Sequence, residues 1–168
     1  MQDEPILGPA GAAPPGTSTD PSAIECIREL VHGEPFAVLC TQGGGQPYGS
    51  VVAFAFEANL RAFAFSTPVA TRKFRLLSEC HRVALVVDNR GRFPEDMTKI
   101  GAVTVTGKAI QLEPGPELER WVGLLTARHP YLEFFFRAPS TAVFRVDATR
   151  YLHVTRFQEV RQWVPTAG

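Results

Sequence analysis

Val51-Val52-Ala53-Phe54-Ala55-Phe56-Glu57-Ala58-Asn59-Leu60-Arg61-Ala62-Phe63-Ala64-Phe65 reads as two β-strands joined by a tight turn. The first strand begins near Tyr48. Val51, Ala53 and Ala55 alternate along it with Val52, Phe54 and Phe56. Both faces are apolar, so the strand is expected to be central and buried on both sides. Glu57-Ala58-Asn59 supplies the turn, with Asn59 suited to positive φ. Leu60 to Phe65 returns beside its neighbour, which makes the pair antiparallel.

The returning strand runs into Ser66-Thr67-Pro68-Val69-Ala70-Thr71-Arg72-Lys73, and a helix-like run follows from Phe74 to Glu79. Two hydroxyl residues leave a strand end, and a third hydroxyl and two cations open a helix. Backbone N–H groups at a helix start, short hydroxyls and Arg/Lys charge are what a phosphate monoester requires. Cations at the positive end of a helix dipole are electrostatically unfavourable alone, and a bound anion reverses that. Pro68 stiffens the turn.

Outward from this centre, Ile24, Ile27, Leu30 and Val31 mark a helix that starts at Asp20-Pro21 and ends at Gly33 as a C′ residue. Phe36 to Thr41 is a short strand, and Gly43-Gly44-Gly45 a turn. Arg82 to Asp88 is a strand, Asn89 to Lys99 a polar loop, and Gly101 to Leu112 a further strand. Glu117 to Arg128 is a helix stopped by His129-Pro130. Tyr131 to Arg137 is a short aromatic element. Its Phe134-Phe135-Phe136 run suggests core or an interface. Thr141 to Val146 and Tyr151 to Val164 finish as two strands.

Six or seven strands at hairpin spacing, with three or four helices, predict a mainly β fold. It is an antiparallel barrel with helices at its ends and edges. Residues 1–19, rich in Pro, Gly and Ala, read as a flexible tail, or an arm that orders on a partner, ahead of one domain, 20–168.

Lys+Arg and Asp+Glu both number 17, so the net charge is zero. A nucleic-acid surface or an anionic membrane is therefore not the expected partner. No run approaches the length of a membrane span, and the N-terminus lacks a signal-peptide pattern. The three cysteines, Cys26, Cys40 and Cys80, show no CxxC and no zinc-site spacing. The chain reads as soluble and cytoplasmic, with no metal site.

Other constellations admit two readings each. Ser50 enters the long strand after Gln46-Pro47-Tyr48-Gly49, placed to meet a phosphate or a polar ring edge. The backbone of Val51 and Val52 is placed to face a flat heterocycle. Equally, Gly49 and Ser50 ease close packing. Either Asn89 reads a heterocycle edge and Arg90 holds an anionic substrate or a subunit contact, or the pair simply turns the chain. Trp163 belongs to the core or caps a partner's ligand. His32, His129 and His153 lack triad or metal spacing and read as structural. No catalytic acid, base or nucleophile is identified.

Taken together, Pro47-Tyr48-Gly49-Ser50-Val51-Val52, Phe65-Ser66-Thr67 with Thr71-Arg72-Lys73, Arg82-Val83-Ala84-Leu85-Val86 and Val103-Thr104-Val105-Thr106-Gly107-Lys108-Ala109 resemble a known family. They are similar to the pyridoxamine 5′-phosphate oxidase-like, FMN-binding split-barrel superfamily. The resemblance implies a split β-barrel and a homodimer with two FMN sites at its interface. Arg72 and Lys73 would hold the phosphate, Ser66 and Thr67 would lie near the ribityl chain and ring, and Ser50 and Val51 would line the other side. The chain departs from the oxidase at Gly101 and Ala102, where the oxidase has Arg-Gln, and at Ser50, where it has Arg. The oxidase's Arg-Leu-His substrate motif is echoed loosely by Arg150-Tyr151-Leu152-His153. The resemblance thus implies an FMN-dependent oxidoreductase acting on another small substrate. A flavin electron carrier, a heme-binding split barrel (through His129 or His153) and a deazaflavin-dependent protein share the fold.

Overall fold

The computed structural model describes residues 21–156 and 159–165. The expected tail (1–19), the Asp20 N-cap and residues 166–168 lie outside them. In chain order the elements are α1 (Pro21–Gly33), β1 (Phe36–Gly43), β2 (Gln46–Phe56), β3 (Ala62–Pro68), α2 (Arg72–Glu79), β4 (Arg82–Asp88), β5 (Ala102–Gln111), α3 (Pro116–Arg128), α4 (Glu133–Phe136), β6 (Thr141–Thr155) and β7 (Glu159–Trp163). The strands follow the order β3-β2-β1-β4-β5-β6-β7, and β3 also pairs with β6. Six antiparallel strands thereby close a barrel, and β7 adds to the free part of β6.

The Phe/Ala alternation in β2 and β3 determines what covers each face. Phe54, Phe63 and Phe65 point into the barrel with Leu39, Leu85, Val103, Val105 and Tyr151, and α1 adds Ile27, Leu30 and Val31. Ala55, Ala62 and Ala64 point outward, and their small size lets α3 and α4 pack close through Trp121, Val122, Leu125 and Phe136. Each fully buried large side chain contributes about 1.5–3 kcal/mol.

Arg128 ties α1 to this frame. Its Nη2 donates to the carbonyls of Val31 at 2.8 Å, His32 at 3.3 Å and Glu34 at 2.7 Å. Its guanidinium also lies 4.9 Å from the Phe54 and Phe56 ring centres. Arg92 Nη2 donates to Gly33 O at 2.9 Å. The orphan carbonyls of the helix end are satisfied by arginines. Gly33 is therefore the last helical residue, without the positive φ of a C′ glycine.

Three further expectations are corrected. The two C-terminal strands divide differently: β6 runs unbroken from Thr141 to Thr155, with a bulge opposite Thr106 and Gly107, and β7 is a separate, shorter strand. The bulge lets one strand bend through the polar stretch around Asp147 and Thr149. The positive φ of the hairpin falls on Leu60 (59°), not Asn59. Asn59 Oδ1 instead accepts from Arg61 N at 2.9 Å, while Leu60 is fully buried and its carbonyl accepts from the Tyr151 hydroxyl. Finally, β2 is central, but only its second half is buried on both faces, and Val51 is 68% exposed.

Candidate functional site at the split of the barrel

β2 and β3 share only three register pairs, Phe54↔Phe65, Ala55↔Ala64 and Phe56↔Phe63. Beyond Phe54 and Phe65 they part. The first part of β2 continues against β1, from Ala53↔Phe36 to Gln46↔Gly43. The end of β3 continues against β6, from Ser66↔Val143 to Pro68↔Thr141. The barrel is therefore open between Ser50–Ala53 on one lip and Ser66–Thr67 on the other.

Each lip carries a polar orphan. Ser50 Oγ and Ser66 Oγ are both buried and have no hydrogen-bond partner among the described residues. A buried unsatisfied hydroxyl costs about 1–3 kcal/mol. Ser50 lies on the Leu39 face that fills the barrel and Ser66 on the Val143 face that α3 and α4 cover, so the two hydroxyls mark the two faces of the parting strands.

The turn beyond Ser66 is built around Thr71, the N-cap of α2. Its hydroxyl donates to Pro68 O at 2.8 Å and accepts from Phe74 N at 3.2 Å. Its only proton is thus spoken for, so Thr67 donates to it at 2.9 Å. The hydroxyls of Thr67 and Thr71 shape the loop, and the N–H groups of Arg72 and Lys73 remain free of helix partners. The first turn of α2 holds no acidic residue. Arg72 lies 5.1 Å over the Tyr48 ring, and burial pushes the Lys73 ammonium pKa down. A half-buried ammonium beside an exposed guanidinium at a positive dipole end is poised for an anion.

The remaining candidates sit elsewhere. β4 runs antiparallel to β1 through Val38↔Val86, whereas Tyr48 faces Thr41 at the other end of β1. Asn89 and Arg90, which follow β4, therefore lie at the opposite end of β1 from Arg72. Asn89 Oδ1 accepts from Gly101 N at 2.8 Å, and Arg90 pairs with Asp88 at 3.2 Å. Trp163 packs on Tyr151 at 4.8 Å and joins the barrel core. Within one chain, Thr67 is bonded to Thr71 and Arg72 lies on Tyr48, Ser50–Val52 and Ser66 belong to the strands that part beside this turn, and Asn89, Arg90 and Trp163 do not join them. Tyr48 was not singled out from the sequence. Only the seating of Arg72 over its ring reveals it.

The histidines are largely occupied by structure. His129, 1% exposed, donates from Nε2 to Phe54 O at 2.9 Å. His153 is buried, and desolvation followed by the charge of Arg161 holds its pKa low. It lines a cavity of about 230 Å³ with Asn89, Arg92, Lys99 and Gly101. Arg150 is likewise buried within β6. Among the described residues, no three His, Cys, Asp or Glu side chains are arranged to hold a metal, and no helix is long and apolar enough to cross a membrane.

Solved structures share this architecture at low sequence identity. A heme binding protein from Mycobacterium smegmatis superposes with a TM-score of 0.77 at 18% identity, over 88% of this chain and 60% of that one. A Clostridium acetobutylicum protein related to general stress protein 26, of the pyridoxinephosphate oxidase family, gives 0.67 at 17% identity, over 86% and 96%. An FAD-binding protein from Mesorhizobium loti gives 0.61 at 19% identity, over 78% and 90%. These likenesses establish the fold, and the chain spans only 60% of the mycobacterial protein. No curated protein matches the sequence. The family model of pyridoxamine 5′-phosphate oxidase matches residues 24–155, which contain both lips of the split and the α2 turn. This chain belongs to the pyridoxamine 5′-phosphate oxidase family.

Proposed function

We propose that the chain is an FMN-binding oxidoreductase that works as a homodimer in the cytoplasm on a small substrate. The observation that carries this reading is the start of α2, where Arg72 and Lys73 stand beside the split without an acidic neighbour in the first turn. Ser50 Oγ and Ser66 Oγ, buried and unpartnered among the described residues, stand on the two strands that part there. In this reading Arg72, Lys73 and their N–H groups hold the phosphate. Ser66 and Thr67 lie along the ribityl chain, and Ser50, Val51 and Val52 line the ring. Bound flavin supplies the hydride and electron chemistry, and the protein supplies orientation and electrostatics. That division fits a site for which no catalytic acid or base is identified.

The homodimer is supported by the outer face of the barrel. Val51, Val38, Val86, Thr104 and Leu152 are consecutive cross-strand partners, so they form one row on a single face. Each is at least partly exposed. A sheet face this apolar is expected to be covered by a second copy. A second copy would also bring residues such as Asn89, Arg90 and Trp163 to a site they do not reach in one chain.

Heme is less well served. His129 is bonded to Phe54, and His153 faces a cavity of about 230 Å³, below the range of roughly 300–1,000 Å³ usual for small-molecule sites. The deciding experiment is cofactor uptake by the purified protein, in parallel with FMN, a deazaflavin and hemin. The proposal expects near-stoichiometric FMN preferred over deazaflavin, no Soret band dependent on His153, and turnover with reduced nicotinamide. FMN uptake without turnover would leave a flavin carrier instead. A Soret band without flavin uptake would overturn the proposal.

A further inference from the structure

A second cationic site lies away from the split. Arg82 on β4 and Lys108 on β5 are direct cross-strand partners. Like charges placed opposite each other destabilise a strand pair. Neither side chain has an ion-pair or hydrogen-bond partner among the described residues. The nearest carboxylate in register is Asp147, opposite Lys108, and both its oxygens are held by Arg145 at 2.8 and 3.1 Å.

The two cations border a concave site of about 500 Å³ that Cys40, Thr41, Pro47, Thr106 and Thr149 also line. Its floor is specially built. The β-bulge of the β5–β6 pair falls here, between Thr106 and Gly107. Gly107 is obligatory, because a Cβ there would stand 2.4 Å from Asp147 O. Thr149 donates its hydroxyl proton to Thr106 O at 3.0 Å. The Thr106 hydroxyl is then left with only a long 3.4 Å contact to Thr149 Oγ1, which a ligand oxygen would readily replace. Bulges commonly re-aim side chains at binding sites. The volume falls within the range of small-molecule sites.

We propose that Arg82, Lys108 and Thr106 form a second phosphate site, in a cavity of a size to hold a nucleotide. The site lies two residues along the same sheet face as the Val38–Val86–Thr104 row, at the margin of the proposed self-contact, and does not depend on flavin binding at the split. Two sources share this chemistry: the adenylate half of a flavin dinucleotide, and a separate nucleotide such as the adenylate half of a nicotinamide donor.

The test is calorimetric titration of ADP into the full-length protein in phosphate-free buffer, with and without saturating FMN. Wild-type protein binds ADP, and Arg82→Gln/Lys108→Gln weakens it at least about tenfold through lost charge-assisted contacts. Thr106→Val weakens it less. The double variant melts no lower than wild type, because the opposed charges are gone, so weaker binding is not unfolding. A preference for FAD over FMN that disappears in the double variant identifies the flavin dinucleotide. ADP binding that persists on FMN-saturated protein identifies a separate nucleotide. Absence of ADP binding to wild type, or equal binding by the double variant, overturns the proposal. So does a double variant that changes only the oligomeric state, since the cations would then meet a carboxylate of a second copy.

Discussion

Phe54 pairs with Phe65, and past this pair β2 and β3 no longer share a register. That single parting converts a closed barrel into one with a mouth. Both aromatic rings are fully buried, with Phe65 stacked on Phe144 at 5.6 Å, so the parting point is held by core packing. His129 adds a bond to the Phe54 carbonyl from outside the strand pair. The mouth thus has rigid walls, and Ser50 and Ser66 sit on them.

Ser50→Ala and Ser66→Ala should act oppositely on two measurements. In flavin-free protein each removes an unsatisfied buried hydroxyl, so chemical denaturation should show unchanged or higher stability, by up to about 1 kcal/mol. FMN affinity, read by quenching of flavin fluorescence, should fall. A loss of stability without ligand would show that these hydroxyls have partners within the protein.

Arg72→Ala and Lys73→Ala should each weaken FMN binding by about 1.5–3 kcal/mol, because each removes a charge-assisted contact. Lys73→Ala should leave the fold intact, since burial already disfavours the ammonium's charge. Riboflavin, which lacks the phosphate, should bind both variants as it binds wild type. Equal losses for riboflavin and FMN would place the cations elsewhere than at the phosphate.

Arg128→Ala should be among the most destabilising substitutions. It strips the carbonyls of Val31, His32 and Glu34 of their donor and removes contacts with two aromatic rings. A loss of about 3–5 kcal/mol in urea unfolding is expected, with Arg128→Lys recovering less than half. Full recovery by lysine would show that charge alone suffices.

His153 makes stability depend on pH in a definite direction. Desolvation lowers its folded pKa, so the unfolded chain binds the proton more readily. Its contribution is complete above the unfolded value of about 6.5 and is lost as pH falls through that value. The slope is at most about 1.4 kcal/mol per pH unit for one group. His153→Gln should flatten the difference in stability between pH 7 and pH 5. An unchanged profile would mean that His153 takes up its proton in place without cost.

Much of this was legible in the chain, because local chemistry and fold agree there. Thr71-Arg72-Lys73 follows an apolar strand and starts a helix whether or not a ligand is present. The Phe/Ala alternation of Ala53 to Phe65 shows two apolar faces, but not that one is covered by α3 and the other fills the barrel. Leu60 takes the positive φ because its side chain is claimed by the core, a tertiary demand that outweighs the local preference of Asn59. β6 looked like two strands because its polar middle, Asp147 to Arg150, marks a bulge rather than an end. The separation of Asn89 and Arg90 from Arg72 depends on the β1–β4 register, which no local pattern encodes.

The exposed row Val51–Val38–Val86 predicts that Val38→Glu disrupts self-association. Light scattering should show a dimer for wild type and a monomer for the variant, with FMN affinity falling in parallel if the site needs both copies. A variant that remains dimeric would locate the interface on another face.

The most direct measurement is the flavin content of the purified protein after incubation with FMN and desalting. The flavin is quantified by its absorbance after release on unfolding. The account predicts close to one FMN per chain for wild type and a large loss for Arg72→Ala/Lys73→Ala. A colourless wild-type preparation that takes up no added FMN would contradict it.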